Sequence, residues 1–157
     1  MSKLVVDNLS RTFPGVGGGA PVRALAVCCI IAGVFVFFGE LETIASVTDA
    51  PRIGRVFAAY QPEIVLHAAA YKHVPAMEAQ PDQALETNVV GTDIVVRHAA
   101  AYGAKRFVLV STDKAVRPTS VMGASKRLAE LAVRAVAEET GMSACSVRFG
   151  NVLGSRG

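Results

Sequence analysis

The sequence predicts an α/β fold, a Rossmann-like parallel sheet flanked by helices and incomplete at both ends. Three observations predict it. From residue 51 onward, short apolar runs alternate with stretches of helical period, the order that builds βαβ units. The runs at 64–70 and 107–111 carry too few polar residues for a half-exposed strand, as strands buried in a parallel sheet do. Each run is followed by small or polar residues, where ligands bind in sheets of this kind.

Taken in order, residues 1–23 read as irregular, broken by Pro14, Gly15, Gly17, Gly18, Gly19 and Pro21. The glycines at 15–19 are a weak dinucleotide signal. Such a loop needs a strand before it and a helix after it, and Pro21 falls where a third glycine would stand. Residues 24–39 form a 16-residue run without charge, short of the roughly 20 that a membrane-spanning helix needs. Gly33 interrupts it, so it reads as a buried strand or strand–turn–strand; a membrane or interfacial segment is the alternative. Residues 40–49 read as a short strand. Residues 51–60 read as a helix with proline in its first turn.

The regular part follows. Residues 64–70 (IVLHAAA) read as a strand. Residues 81–101 read as one long helix with Leu85, Val89, Val95, Val96 and Ala99 on one face, stopped by Gly103. Residues 107–111 are the next strand, 120–140 a helix closed by Gly141, and 144–149 a third strand. The segments 68–73, 111–114 and 150–155 then meet at the carboxyl edge of the sheet, and the start of the 120–140 helix faces them. That juxtaposition would build a ligand crevice.

Composition narrows the function. The chain has 157 residues, 52% of them hydrophobic and 18% charged, with a net charge of +3, enough for one domain with a core. No dense basic face with interleaved aromatics marks a nucleic-acid binder. Cys28, Cys29 and Cys145 make no disulfide framework, which fits a reducing, cytoplasmic compartment; the inner face of the membrane is the alternative, through 24–39. No metal-ligand spacing joins His67, His73 and His98 to the cysteines.

The candidate chemistry sits at the crevice. Thr112, Asp113 and Lys114 are a hydroxyl, an acid and a base just past a strand, suited to acid–base work and equally to an Asp turn with a solvated lysine. Met122 and Lys126 lie one helical turn apart. Lys126 can hydrogen-bond a ribose, whereas Met122 read alone is a core gap-filler. Ala68, Ala69 and Ala70 let a flat ligand approach or let a helix pack closely. His67 read alone is a satisfied core histidine. Tyr71, Lys72 and His73 can face a substrate. Asn88, a poor helix former in mid-helix, implies a hydrogen bond to a neighbouring strand or loop. The glycines of 150–157 permit close approach by a ligand.

Residues 67–75 (HAAAYKHVP), 86–92 (ETNVVGT), 110–126 (VSTDKAVRPTSVMGASK) and 147–157 (VRFGNVLGSRG) resemble the catalytic domain of bacterial polysaccharide-biosynthesis nucleotide-sugar dehydratases, extended short-chain dehydrogenase/reductase enzymes related to UDP-N-acetylglucosamine 4,6-dehydratases. The resemblance covers about 47–157. It implies tightly bound NAD, a UDP-amino-sugar substrate, and a lyase reaction: a hydride leaves sugar C4, water is lost across C5–C6, and the hydride returns at C6. It implies that Asp113 and Lys114 are the acid and base of elimination, that Thr112 assists at O4, and that Lys126 is the lysine of the superfamily's Tyr-x-x-x-Lys pair. Met122 stands where that pair has its tyrosine, as in a Met-type subgroup. Since methionine takes no proton, Lys114 or Thr112 is expected to serve O4. Ala68, Ala69, Ala70, Asn88 and Lys126 match cofactor-side positions. Tyr71, Lys72 and Asn151 match positions near the nicotinamide or sugar.

The resemblance fails over 1–46, and Ser46 replaces an expected Asp. The implied organisation is an atypical N-terminal segment, 1–46, before a partial NAD-binding and catalytic domain, 47–157. Without a pyrophosphate cradle and a sugar cap the chain is expected to be a fragment, since placing the reacting groups depends on binding energy. A 4-epimerase, a non-catalytic remnant of the same fold and a membrane-associated fragment are the alternatives. No metal is expected, and a homo-oligomer is compatible with the reading.

Overall fold

The computed structural model describes residues 24–30, 33–38 and 41–150, with the strands before residue 45 described by their backbone pairing. Six strands form one sheet: β1 (Ala24–Ile30), β2 (Gly33–Phe38), β3 (Leu41–Ile44), β4 (Ile64–Ala68), β5 (Arg106–Thr112) and β6 (Ser143–Phe149). They lie in the order β3-β2-β1-β4-β5-β6. β1, β4, β5 and β6 run parallel, with Val27 beside His67, His67 beside Leu109 and Leu109 beside Ser146. The parallel arrangement therefore holds for these four strands, and the run at 24–39 contributes two strands, its positions 31–32 lying outside the described residues. β2 and β3 add an antiparallel edge to this parallel sheet, β1 pairing with β2 and β2 with β3. The physical reason is connection length, because two residues can join antiparallel strands but a parallel crossover needs a dozen or more.

α1 (Ala50–Tyr60) starts at Asp49, whose Oδ1 accepts the Arg52 amide at 3.0 Å. It buries Ile53, Val56 and Phe57, the i, i+3, i+4 stripe of an amphipathic helix. Between β4 and β5 run α2 (Val74–Ala79), which the sequence reading did not anticipate, then α3 (Pro81–Leu85), a π-turn over Glu86–Val90 and α4 (Gly91–Ala101). The expected single helix over 81–101 is thus interrupted. The Gly91 amide reaches back to the Glu86 carbonyl, an i→i+5 bond that widens one turn. Ala84, Asn88 and Thr92 consequently share the buried side, and Leu85, expected there, is exposed. α5 (Val121–Thr140) is capped by Ser120, whose Oγ accepts the Gly123 amide at 3.1 Å, and ends at Gly141.

α1, α4 and α5 pack one core with the sheet, built from Phe57, Val65, Val95, Phe107, Leu109, Val133 and their neighbours. Burial alternates along β5, with Phe107, Leu109 and Ser111 facing the helices. On the opposite face Leu66, Val147 and Phe149 are exposed, so among the described residues the helices cover one side of the sheet. Gly91 is fixed by close approach: a Cβ there would fall 2.4 Å from Val47 Cγ2. The turn before α1 thereby presses on the end of the π-turn. No helix among the described residues is long and apolar enough to cross a membrane, and the run at 24–39 contributes β1 and β2 instead.

Candidate active site

The carboxyl ends of β4 and β5 open toward the first turn of α5, and the end of β6 joins them. Thr112 caps the single 3₁₀ turn Asp113–Ala115, its Oγ1 accepting the Lys114 amide at 3.4 Å. The Thr112 hydroxyl donates to Asp113 Oδ1 at 3.0 Å, and Lys114 Nζ donates to the same oxygen at 3.2 Å. Both charged side chains are about half exposed, 57% for Asp113 and 45% for Lys114. The hydrogen bond from Thr112, and then that from Lys114, hold the Asp113 carboxyl below its ordinary range, because each favours the charged form. Ala115, fully buried, pins the turn. A Cβ built on Gly150 would stand 3.9 Å from Asp113 Oδ2, which brings the end of β6 alongside.

α5 comes unusually close to this turn. A Cβ on Gly123 would lie 2.5 Å from the Lys114 carbonyl oxygen, so only glycine lets the helix rest on the Lys114 backbone. Met122 is buried with Met77 and Ala84 in a small apolar cluster that Val74 and Val121 complete. Lys126, 8% exposed, donates from Nζ to the Val110 carbonyl at 2.7 Å. Burial pushes its pKa down to about 8, against the opposing pull of Glu130. Glu130 is itself buried and clamped: Arg148 Nε and Nη2 donate at 2.8 and 2.7 Å, and Arg127 Nη1 donates at 3.0 Å. Arg148 foremost drives the Glu130 carboxyl down to about 2, outweighing the burial that would raise it.

Asn88 meets the expectation of a bond to a neighbouring loop. Its Oδ1 accepts the Tyr71 amide at 2.7 Å, and its Nδ2 donates to the Tyr71 carbonyl at 3.1 Å and to Ser125 Oγ at 3.0 Å. Ser125 in turn donates to the Met122 carbonyl at 2.9 Å. One buried carboxamide thus ties the segment after β4 to the first turn of α5. Ala69 is buried beneath that segment, while Tyr71, Lys72 and His73 are exposed. His67 is fully buried, with Nε2 3.0 Å from Thr92 Oγ1; it is a core histidine, but not the satisfied one of its isolated reading, since Nδ1 has no partner among the described residues.

Of the sequence candidates, the structure gathers Thr112, Asp113 and Lys114 in one hydrogen-bonded group, seats Lys126 under the same strand, and joins Tyr71 to Asn88. Asn151 with the rest of residues 151–157, and the glycines at 15–19, lie outside the described residues. Among the described residues no three His, Cys, Asp or Glu side chains gather as metal ligands do. Two contacts were missed. Glu78 Oε1 accepts the Val121 amide at 2.7 Å, tying α2 to the start of α5, and the Glu130–Arg148 pair spans 18 residues. No local spacing signals either, because both depend on how distant elements cross.

The model of the "Polysaccharide biosynthesis protein" family matches residues 36–157. The chain is 46% identical over 114 residues to "Probable polysaccharide biosynthesis protein EpsC" of Bacillus subtilis, covering 73% of this chain and 19% of that protein. It is 47% identical over 118 residues to "Capsular polysaccharide biosynthesis protein CapD" of Staphylococcus aureus, covering 74% and 20%. It therefore spans about a fifth of the length of these two relatives. A "UDP-glucose 4-epimerase" of Rickettsia canadensis is 44% identical over 98 residues, 60% of this chain and 29% of that one. Among solved structures, the UDP-glucose 4-epimerase of Thermotoga maritima, with UDP-glucose, superposes with a TM-score of 0.69 at 27% identity, over 76% of this chain and 43% of that one. The dTDP-glucose 4,6-dehydratase DesIV of Streptomyces venezuelae, with NAD bound, gives 0.62 at 27%, over 66% and 36%.

Proposed function

The chain belongs to the polysaccharide biosynthesis protein family, and from that premise we propose that residues 47–157 carry the catalytic part of an NAD-dependent enzyme that modifies a nucleotide sugar, beginning with oxidation at C4. The observation that carries the reading is the Thr112–Asp113–Lys114 group at the end of β5, with Lys126 anchored to the carbonyl of Val110 on the same strand. Acid, base and hydroxyl stand within hydrogen-bonding reach of one another where an open α/β sheet binds its ligand.

NAD, when bound, would accept a hydride from the sugar and later return it. The described residues fit its nicotinamide–ribose end. Lys126 commits one ammonium proton to Val110 and carries two more for ribose hydroxyls, and the small, half-buried Ala68 and Ala70 leave room at the end of β4, while Ala69 packs in the core. At the other end, the described strand β1 is followed by β2 and not by a helix whose N-terminus would receive a pyrophosphate.

Asp113 begins as a carboxylate, so it takes a proton before it gives one. The Thr112 hydroxyl, already polarised toward Asp113, is placed to pass on the proton of a sugar hydroxyl that Met122 cannot accept. Tyr71 and Lys72 reach toward the substrate from a segment fixed by Asn88.

Two outcomes can follow C4 oxidation. Epimerisation is supported by the names of several similar proteins, among them the Rickettsia and Thermotoga proteins. 4,6-Dehydration of a UDP-N-acetylglucosamine-like substrate is supported by DesIV and by the adjacent Asp113 and Lys114: Asp113, having taken the C4 hydroxyl proton through Thr112, gives it to the C6 hydroxyl, which leaves as water, while Lys114 takes the C5 proton. Incubation with NAD and UDP-N-acetylglucosamine or UDP-glucose in D₂O separates them. Dehydration yields a 4-keto-6-deoxy sugar carrying solvent deuterium, whereas epimerisation yields the C4 epimer without it. A folded chain that binds no NAD and oxidises neither sugar overturns the proposal.

A further inference from the structure

The buried His67 takes no part in the chemistry above, yet its hydrogen bond has only one consistent direction. The Thr92 hydroxyl owns a single hydrogen and donates it to the Asn88 carbonyl at 2.7 Å. His67 Nε2, 3.0 Å from Thr92 Oγ1, must then be the donor and carry a proton; a second proton on the other ring nitrogen would be a buried charge with nothing to accept it, so the ring is neutral. Nδ1 is left as a bare acceptor, buried without a partner among the described residues. Such an arrangement is costly unless the Nε2 bond is needed. The chain of donors runs inward from β4 to α4 and ends on the π-turn, whose Asn88 side chain holds both backbone groups of Tyr71.

We propose that His67 and Thr92 are positioning residues: the His67 Nε2–H, acting through the Thr92 hydroxyl, holds the Asn88 carbonyl and so fixes the π-turn in the rotation that lays the Asn88 carboxamide across the backbone of Tyr71. The crevice-facing segment Tyr71–Lys72 is thereby set from inside the core and not by contacts at the surface. That Tyr71 faces a substrate rests on the functional reading above; that its backbone is held from His67 does not.

Amide hydrogen exchange on the full chain tests this. The Tyr71 amide is expected to be protected, to exchange at least about tenfold faster in Thr92→Val, and to regain protection in Thr92→Ser, while the amides of Val95, Val96 and Ala99 in α4 stay unchanged. A Tyr71 amide unaffected in Thr92→Val overturns the proposal. Nitrogen-15 NMR of the unmutated chain tests it without any variant. One histidine ring should carry its proton on Nε2 and keep both nitrogen shifts constant from about pH 8 to 5. A His67 ring protonated on Nδ1, or one that titrates near the ordinary value of about 6.5, overturns it. Neither measurement needs turnover, so a chain that processes no nucleotide sugar would sink the functional reading and leave the positioning role standing.

Discussion

The β5 turn and the α5 helix beside it hold their charges on opposite principles. On the β5 side, Asp113 and Lys114 hold their charges in water, each about half exposed. On the α5 side, Lys126 and Glu130 keep theirs inside the protein, and Glu130 is gripped by two arginines. Solvated charges add little to folding and are free to exchange protons as a ligand displaces water. Buried charges must be paired or they unfold the chain, and their geometry is set before any ligand arrives. Function and stability should therefore separate between Asp113 with Lys114 on one side and Glu130 on the other, Lys126 belonging to both.

The sharpest break is on the exposed side. Lys114→Ala and Asp113→Asn are expected to cost about 10²–10⁴-fold in turnover, the usual loss for an acid or base, with no change in melting temperature. If either variant melts distinctly earlier, the group is structural and the contrast collapses. The buried side predicts the reverse. Glu130→Gln leaves the half-exposed Arg148 facing a neutral partner and should cost about 1–3 kcal/mol in stability, read by urea denaturation. The sign with pH follows from its depressed pKa. The stabilisation is complete above the unfolded value near 4.5 and is lost as pH falls toward about 2. The same substitution removes the Glu130 charge that raises Lys126, so any activity inflection near pH 8 should move lower.

The sequence carried one side of this contrast better than the other. Strand and helix positions from residue 50 onward follow hydrophobic period and caps, and Thr112, Asp113 and Lys114 announce themselves by adjacency after an apolar run. Asn88 was visible as a polar residue in the wrong place, although its partners were not. The π-turn escaped because a 3.6-residue period was carried through 81–101, and one inserted residue moved Leu85 to solvent. Nothing in the sequence singles out Glu130, since its partner Arg148 approaches only when β6 pairs with β5. Gly-rich and apolar composition before residue 45 left open how β1, β2 and β3 pair, because alternation is absent there.

Acid should expose the interior a second way. His67 is held neutral, its pKa pushed down to about 3 by burial first and Lys126 second. Between that value and the unfolded 6.5 the unfolded chain binds a proton that the folded chain refuses. Stability from this group is thus full above about pH 6.5 and falls by about 1.4 kcal/mol per pH unit as acid is added through the window. His67→Gln, which keeps a donor near the Nε2 position and cannot titrate, should flatten the slope between about pH 6.5 and 4.5, above the range where Glu130 contributes. An unchanged slope would mean that His67 accepts a proton in the folded state.

The smallest expected effect tests the contact where the two sides meet. Gly123→Ala should gain about 1 kcal/mol of helix propensity and lose a comparable amount as the new methyl, 2.5 Å from the Lys114 carbonyl oxygen, drives that carbonyl away. Melting temperature should therefore barely move. Turnover should fall about tenfold, because sub-ångström displacement of an acid–base pair costs that much when geometry sets the rate, and the fall should appear in kcat more than in KM. A variant that melts higher and turns over normally would show that the Asp113–Lys114 turn finds its place without α5, and that the buried side supports the fold but not the chemistry.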